Sequence, residues 1–341
     1  MNLRPLQLEL VMDAGRLPSG GDMKTPAEGS GPTRVTPNSR FTHLRLALLC
    51  LLMVGVTGCA TPLRSKISYI AVMGAYAPEL AANRSILVGS NAPLHTTVVN
   101  GVRFEHYRVD GRNLLLFPSG VSMVNAAMTT QLALDRFDIS HVLFAGIAGG
   151  INPSNHIGDV VIPARWHHHS EAVYANPKPD GTGYVLPEYF KPPFENFGFM
   201  FPDVVSTVRD GMAKPADQPF FPADPALLAA AERAIASLPP LIWSTNTARV
   251  SVGGNGIAGP VFMDNREYRR WAYRVWQAEC LDMESTAIAQ VCWANQKPFL
   301  IVRGLSDLAG GQEGLNAADF TEVPISRHAA LVLKQILRQL P

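Results

Sequence analysis

The chain lacks the features that mark a nucleic-acid-binding protein. Its 29 Lys and Arg residues nearly balance its 28 Asp and Glu residues, which gives a formal net charge of +1 at pH 7. No block of like charges and no internal repeat interrupts the sequence. A basic field that would neutralise phosphates is therefore missing, and we expect no nucleic-acid partner.

Cysteine is scarce as well, with four residues in a chain of 341. Cys280 and Cys292 have apolar neighbours, which favours buried thiols over a disulfide framework, and the cysteine spacing offers no zinc site. His167, His168 and His169 cannot all face one metal from a strand, because successive side chains point to opposite faces. We expect no metal and no cofactor, and an exposed or substrate-rim position for the histidines.

A long apolar run is also missing, but a short one lies near the N-terminus. Residues 46–56 follow Arg40 and Arg45, and a positive flank before a short apolar core is typical of a secretory signal. The run ends in Val-Thr-Gly-Cys59, which resembles the bacterial lipobox; an ordinary signal peptide with a chance cysteine is the alternative. We expect residues 1–59 to be a disordered leader and lipoprotein signal peptide. The exported protein would then be lipid-anchored at the outer membrane, facing the periplasm, with no other membrane contact.

From about Ile67 onward, buried strands alternate with helices. Pro78 and the pair Asp224-Pro225 fit helix starts, because proline suits the first helical turn and Asp caps exposed N–H groups. Asn100-Gly101 between two alternating runs predicts a hairpin. The pattern predicts one α/β domain over residues 66–341, with a mixed central sheet flanked by helices.

Residues 166–225 differ from the rest of this domain. They are rich in Pro, Gly, Phe and Tyr and show little periodicity. Loops of this length are uncommon unless they are functional or disordered, and the aromatic residues argue against disorder. We expect an irregular insertion that either packs against the main body or forms a lid over a site.

Two acidic corners lie in the stretch from Leu281 to Gly310. Glu284, in Asp-Met-Glu, begins a predicted helix that ends near Asn295, and Asp307, in Ser-Asp, follows an apolar strand over residues 298–302. Both acids therefore fall at element ends, where open α/β sheets place their ligand crevices. A surface acid and a helix N-cap are the alternative interpretation.

Glycines follow another buried strand, which begins at His141. We expect a bend over residues 146–150, in which backbone N–H groups can approach a ligand without interference from a Cβ atom. A structural tight turn explains the same glycines. The segment has neither the Gly-Lys-Ser/Thr of a phosphate-binding loop nor a dinucleotide fingerprint.

Taken together, these segments resemble the nucleoside phosphorylase superfamily. In its site residues the chain is most similar to methylthioadenosine/S-adenosylhomocysteine nucleosidases, and residues 147–149, 261–265 and 306–311 are also similar to the plant bark-storage relatives. The resemblance covers nearly all of the predicted mature chain. The motifs that carry it are residues 74–80, 145–150, 157–159, 282–284 and 306–307.

The resemblance implies three roles in cleaving the N-glycosidic bond of a purine nucleoside. Asp307 would protonate the leaving base at N7, which requires a raised pKa. Glu284 would accept hydrogen bonds from the ribose hydroxyls, while Met283 contacts the sugar face. Glu79, at the corner after the first strand, would activate water.

Further substrate contacts are implied by the same motifs. The backbone N–H groups of Ala148 and Gly149 would position the water or sugar oxygens, and the backbone of residues 253–262 would frame the base. Ser306 belongs to the motif of the base-protonating acid. Ile147 departs from the family pattern, which commonly has Ser or Thr there, so one contact to the nucleophile is missing. The family also implies a homo-oligomer.

The sequence favours water over phosphate as the nucleophile. A phosphate dianion needs cationic donors, and no Lys or Arg lies between Ile139 and Gly150. We therefore expect a nucleosidase that acts on adenosine-type nucleosides such as methylthioadenosine or S-adenosylhomocysteine. One alternative is a phosphorylase whose phosphate ligands are Arg165 or Lys191 or come from a partner subunit. Another is a nucleoside-binding or storage-type protein without turnover.

Overall fold

The structure, a computed structural model, describes residues 67–316 and 318–340. The proposed leader and Cys59 lie outside these residues. Within the described ranges, no helix has the length and apolar character needed to cross a membrane. Cys280 and Cys292 are buried free thiols, as predicted.

Helices and strands alternate along most of the described chain. The helices are α1 (Ala77–Leu87), α2 (Met123–Arg136), α3 (Pro225–Ala236), α4 (Arg266–Trp276), α5 (Ser285–Ala294) and α6 (Ala318–Gln339). The strands are β1 (Tyr69–Gly74), β2 (His95–Val99), β3 (Val102–Val109), β4 (Arg112–Pro118), β5 (Ile139–Gly150), β6 (Val160–Ile162), β7 (Arg165–His168), β8 (Ala172–Tyr174), β9 (Asn176–Pro177), β10 (Tyr184–Val185), β11 (Met200–Pro202), β12 (Val205–Thr207), β13 (Ala216–Gln218), β14 (Phe221–Pro222), β15 (Leu241–Trp243), β16 (Asn246–Ala248), β17 (Val250–Val252), β18 (Asn255–Ala258), β19 (Ala278–Asp282) and β20 (Phe299–Asp307).

The central sheet is mixed, as predicted. Its main path runs β14-β7-β18-β19-β5-β1-β4-β3-β2, while β20 pairs with β5 and β6, and β6 also pairs with β17. Strand β5 lies at its centre, because it pairs in parallel with β1 and β20 and antiparallel with β19. The ends of these four strands therefore meet in one region of the molecule.

The predicted hairpin is confirmed by strands β2 and β3. They pair antiparallel from His95 opposite His106 to Val99 opposite Val102. Asn100 and Gly101 between them have φ angles of 49° and 80°. Positive φ at both central residues is the conformation of a type I′ turn, whose twist matches that of the two strands.

The predicted glycine-rich bend is wrong. Strand β5 continues through residues 146–150, and its neighbour β20 extends past the predicted end at Val302 to Asp307. The two strands pair from Phe299 opposite Val142 to Asp307 opposite Gly149. Their pairing therefore keeps both segments in strand conformation. The glycines of β5 therefore provide space next to the sheet rather than a change of direction.

Short strands run through residues 166–225. Three two-stranded sheets form there, β8 with β11, β9 with β10 and β12 with β13, while β7 and β14 join the central sheet. Phe197 packs edge-on against Tyr268 of α4, and Phe194 lies against Trp276 of the same helix. The segment is thus packed against the main body through its aromatic side chains.

The three consecutive histidines are not exposed, contrary to expectation. They lie at the end of β7, which pairs with β14 and β18 inside the sheet, and both His167 and His169 are buried. The ring of His169 hydrogen-bonds to the Tyr268 hydroxyl at 2.6 Å, and that of His168 to Gln290 at 2.8 Å. Burial lowers the pKa of His167 to about 4 and that of His169 to about 3, so both are neutral packing residues.

Candidate active site

A cavity of about 260 Å³ opens where β1, β5, β19 and β20 end. It brings together every substrate-contacting residue proposed from the sequence. Its lining contains five carboxylates and no Lys, Arg or His side chain. The residues that line it are Ala75, Tyr76, Glu79, Val121, Ile147, Ala148, Gly149, Val261, Phe262, Met263, Leu281, Asp282, Met283, Glu284, Ser306, Asp307 and Glu322.

Glu79 lies in the first turn of α1, directly after the corner that follows β1. Its side chain is buried, and both carboxylate oxygens accept backbone hydrogen bonds, Oε2 from the Ala75 N–H at 2.5 Å and Oε1 from the Ile147 N–H at 2.8 Å. Burial raises the pKa of Glu79, whereas Arg303 and the two N–H groups favour the ionised form. Donors on both oxygens and the guanidinium of Arg303 stabilise the carboxylate form of Glu79 against this effect of burial.

Arg303 connects three of the acids from beneath the cavity. This fully buried residue of β20 forms ion pairs with Asp282 (Nε to Oδ2, 2.6 Å), Glu79 (Nη1 to Oε1, 3.4 Å) and Glu284 (Nη2 to Oε2, 3.7 Å). Its guanidinium also lies 3.8 Å from the centre of the Phe144 ring. Burial alone would lower the pKa of Arg303, but the three carboxylates outweigh it and raise that pKa.

Gly146 of β5 makes room for this ion pair. A Cβ atom at position 146 would overlap the Glu79 carboxylate and the Nη1 atom of Arg303. Any side chain there would have to push the two partners aside. The absence of a side chain is therefore a condition for placing Glu79 at the cavity.

Glu284 and Asp282 share one corner but act differently. Asp282 Oδ1 accepts hydrogen bonds from the N–H groups of Glu284 (3.1 Å) and Ser285 (2.9 Å), so Asp282 caps α5. Glu284 instead faces the cavity, and its Oε1 accepts from the Ser122 N–H at 2.7 Å. Burial, and secondly the charge of Asp282, raise the pKa of Glu284 to about 8. The capping of a helix N-terminus, which was the alternative interpretation of this acidic corner, is thus the role of Asp282.

Asp307 stands at the end of β20. Its Oδ1 accepts from the Ala309 N–H at 2.8 Å and its Oδ2 from the Ser306 hydroxyl at 3.0 Å. Burial raises the pKa of Asp307. No Lys or Arg within residues 67–316 and 318–340 forms an ion pair with it, so nothing cationic offsets that burial.

Backbone N–H groups of β5 lie beside the acids. The N–H of Ile147 holds Glu79, and the contact of the Ala148 and Gly149 N–H groups with water or sugar oxygens stays a prediction. Both expected residues line the cavity, and a Cβ atom on Gly149 would come within 2.9 Å of Asp307 Oδ1. The Ile147 side chain also lines the cavity and presents carbon where a hydroxyl was expected.

The mouth of the cavity is apolar. Phe262, with an exposed fraction of 66 %, lines it together with Val261 and Met263, whereas residues 253–260 do not. Only the end of the segment predicted to frame the base therefore reaches this cavity. The insertion over residues 166–225 contributes no residue to this lining, and a role as a lid stays a prediction.

Three residues of the site were missed by sequence reasoning: Arg303, Tyr76 and Glu322. A lone arginine inside an apolar strand was the available signal for Arg303. The cations named for phosphate lie elsewhere, because Arg165 stacks on Phe220 and neither it nor Lys191 lines the cavity.

The fold and this cavity can be set beside known proteins. The family model of the phosphorylase superfamily matches residues 66–339. The chain belongs to this superfamily. Its match covers nearly the whole of the described structure, so the cavity lies within the family domain.

Relatives within the superfamily are nucleosidases. A 5′-methylthioadenosine/S-adenosylhomocysteine nucleosidase of Geobacillus kaustophilus is 33% identical over 267 residues, which are 78% of this chain and 95% of the relative. The solved structure of such an enzyme from Colwellia psychrerythraea, in complex with adenine, is 26% identical, with a TM-score of 0.59 over 80% of this chain and 96% of that one. The fold of futalosine hydrolase from Helicobacter pylori is also similar, at 17% identity and a TM-score of 0.60, over 80% of this chain and 99% of that one.

Proposed function

We propose that this protein is a nucleosidase that hydrolyses the N-glycosidic bond of adenosine-type purine nucleosides, such as methylthioadenosine or S-adenosylhomocysteine. The proposal rests on the arrangement of Glu79, Glu284 and Asp307 around one cavity, and it agrees with the names of the relatives. The products would be the free base and a ribose with a hydroxyl at C1′.

The observation that carries the proposal is the charge of the cavity lining. Five carboxylates and no Lys, Arg or His side chain line it, so a phosphate dianion would meet repulsion and find no cationic partner. Arg303 is the cation nearest to Glu79, but it is fully buried and ion-paired to three acids. A neutral water molecule fits this environment, which favours hydrolysis over phosphorolysis.

The reaction needs a base and an acid on opposite sides of the sugar. The ionised Glu79 would take a proton from a water molecule while the oxygen of that water bonds to C1′. Asp307, whose pKa is raised by burial, would give its proton to N7 as the glycosidic bond breaks, so that the base leaves neutral. Glu284 would accept hydrogen bonds from the ribose hydroxyls beside Met283.

One assay separates this proposal from its alternatives. The purified domain is incubated with adenosine, inosine and methylthioadenosine, with and without inorganic phosphate. Free ribose (or methylthioribose) formed without phosphate supports the nucleosidase, whereas a ribose 1-phosphate that forms only with phosphate overturns it in favour of a phosphorylase. Binding without release of base would favour a storage-type protein.

The apolar rim supports a second copy as the partner of this site. Val121 lines the cavity and, with Val124, Met128 and Phe262, is exposed, with fractions between 46 % and 70 %. Such side chains beside a binding site favour a covering subunit. We propose a homo-oligomer, and a monomeric mass in light scattering at micromolar concentration would contradict it.

We also propose export and lipidation at Cys59, on the sequence evidence alone. The Cys59→Ala variant, expressed in a Gram-negative bacterium, is expected to lose incorporation of labelled fatty acid and to leave the membrane fraction. Equal labelling of both proteins would contradict the assignment.

A further inference from the structure

A hydrogen-bond network joins the loop that follows Asp307 to the segment that precedes α4. The carboxylate of Asp264 forms its centre, because Asp264 Oδ1 accepts from the side-chain amides of Gln312 at 3.0 Å and Asn316 at 3.2 Å. Asp264 does not line the cavity, although residues 261–263 directly before it do. The reaction proposed above gives this carboxylate no part.

Both amides continue from Asp264 to the acid of the cavity. The Gln312 side-chain oxygen accepts from the N–H of Leu308, the residue after Asp307, at 3.1 Å. The Asn316 side chain hydrogen-bonds to the Asp307 carboxyl group itself. An amide has two N–H donors, so the Asn316 side chain can hold both carboxyl groups at once. Two paths, each of a single side chain, therefore lead from Asp264 to Asp307.

Backbone contacts fix the loop at the same place. The Asn265 N–H donates to the Ala309 carbonyl oxygen at 3.2 Å, and the Ala309 N–H donates to Asp307 Oδ1 at 2.8 Å. Gly310 has a φ angle of 83°, and a Cβ atom on it would overlap the backbone nitrogen of Asn265. The position of Asp307 therefore depends on close contact between this loop and the start of α4.

The charge of Asp264 acts on the acid as well. Burial raises the pKa of Asp307 most, and the charge of Asp264 raises it further. Arg266 and Arg269 of α4 direct their guanidinium groups to backbone carbonyl oxygens, those of residues 310 and 312 and of residues 150 and 152. Other charged side chains around the cavity and the loop are Glu79, Asp282, Glu284, Arg303, Glu313 and Glu322.

This inference rests on the role of Asp307 as the acid under the proposed function. We propose that Asp264 is a positioning residue for Asp307. It acts through the amides of Gln312 and Asn316, which keep the carboxyl group directed at the departing base. Displacement of a reacting group by about 1 Å can lower a rate about 10²-fold, so a carboxylate outside the cavity can control the reaction in this way.

Two variants separate the contacts of Asp264 from its charge. Asp264→Asn keeps an oxygen that accepts from both amides, whereas Asp264→Ala removes it. At the optimal pH of each protein, we expect kcat for adenine release from methylthioadenosine to fall about tenfold or more in Asp264→Ala and by less than about threefold in Asp264→Asn. KM should change less than kcat, because Asp264 does not line the cavity. An unchanged kcat in Asp264→Ala, or an equal loss in both variants, overturns the proposal.

The pH profile supplies a readout that a merely structural role would not change. Because the acid must be protonated, kcat falls as the pH rises through the pKa of Asp307. Without the charge of Asp264 that pKa is lower, so the alkaline limb of Asp264→Asn should move to lower pH. Asp264 is exposed, so the shift should be larger at low ionic strength.

Glu267→Gln is the matched control for this shift. It removes an exposed carboxylate from the first turn of the same helix, three residues after Asp264, and leaves the amide contacts in place. We expect it to retain both kcat and the position of the alkaline limb. A limb that moves equally in Glu267→Gln, or that moves to higher pH in Asp264→Asn, contradicts the proposal.

Hydrogen exchange tests the same contacts without turnover. Exchange over residues 308–316, measured by mass spectrometry, is expected to be about tenfold faster or more in Asp264→Ala and close to that of the unmodified protein in Asp264→Asn. If the unmodified protein cleaves no nucleoside, the proposed function fails, and this measurement alone decides on the contacts of Asp264. Equal exchange in all three proteins overturns the positioning role.

Discussion

Glu79 and Asp307 are both buried carboxylates at the end of a strand, yet their surroundings differ. Glu79 receives two backbone N–H groups and lies 3.4 Å from the guanidinium of Arg303. Asp307 accepts hydrogen bonds from the Ala309 N–H, the Ser306 hydroxyl and the Asn316 side chain, and no ion pair reaches it from the described part of the chain. Burial acts on both, but a cation counters it at only one of the two corners.

This difference favours opposite charge states for the carboxyl groups of Glu79 and Asp307. The guanidinium of Arg303 and two N–H groups favour the anion at Glu79, whereas at Asp307 burial favours the neutral acid and only uncharged donors oppose it. A base and an acid can therefore share a cavity at one pH without exchange of roles. The variants below are chosen to break one corner while the other stays intact.

The largest effect is expected for Asp307→Asn. The amide keeps the shape of the side chain but has no proton to give to N7, and general acid catalysis typically contributes about 10²- to 10⁴-fold. We expect kcat for adenine release to decrease by a factor within this range. The near-UV circular dichroism spectrum should be unchanged. Turnover close to that of the unmodified protein would refute the role of Asp307 as the acid.

A smaller loss of activity is expected when a methyl group is added beside Glu79. In Gly146→Ala the new Cβ atom would overlap the Glu79 carboxylate and Arg303, and a shift of about 1 Å in a reacting group can lower a rate about 10²-fold. Gly150→Ala is the matched control on β5, because its nearest neighbour is a methyl group of Leu308 that can move. If both variants lose activity equally, the loss reflects the strand and not the ion pair.

The stabilities of two amide variants compare the corners directly. In Glu79→Gln the new NH₂ group must face one of two backbone N–H donors, which leaves a buried donor unpaired and lowers the free energy of unfolding by about 1–3 kcal/mol. In Asp307→Asn the amide oxygen still accepts from Ala309 and the NH₂ group can donate to Ser306, so little change is expected. Urea denaturation at pH 7 measures both, and equal losses would contradict the assigned charge states.

Much of this arrangement could be predicted from the sequence, because each acid lies beside a local signal. Proline at a helix start locates the corner of Glu79, and an apolar strand that ends in Ser-Asp locates Asp307. The alternation of strands and helices likewise predicts the mixed sheet. These features depend on neighbours within a few residues.

The parts that were missed depend on pairing between distant segments. Arg303 is buried because β20 continues alongside β5 beyond Val302, and three acids from other elements surround it there. Glu322 reaches the cavity because it lies in the first part of α6, which begins at Ala318. No spacing within either segment reveals a partner that the fold alone brings close.

A gain of activity is expected at the nucleophile side of the cavity. The Ile147 side chain lines the cavity while its N–H holds Glu79, so Ile147→Ser adds a hydroxyl without changing the backbone donor. We expect kcat to rise by about fivefold, since one neutral hydrogen bond contributes about 1 kcal/mol. Ile147→Ala, which removes the same apolar bulk without adding a hydroxyl, is the control. An unchanged or lower rate in the serine variant would contradict a missing contact to water.

The smallest effect is expected in the pH dependence of binding at Glu284. Its pKa is raised to about 8 by burial and by Asp282, so the carboxyl is protonated below that pH in the empty cavity and ionised above it. An ionised carboxylate accepts from both ribose hydroxyls and binds them more strongly than the neutral acid, by about 1 kcal/mol or roughly fivefold. We therefore expect the dissociation constant of a non-hydrolysable adenosine analogue to fall by about this factor between pH 6.5 and 9. Glu284→Gln, which cannot ionise, should bind equally across the range, and a dependence that persists in this variant would place the titrating group elsewhere.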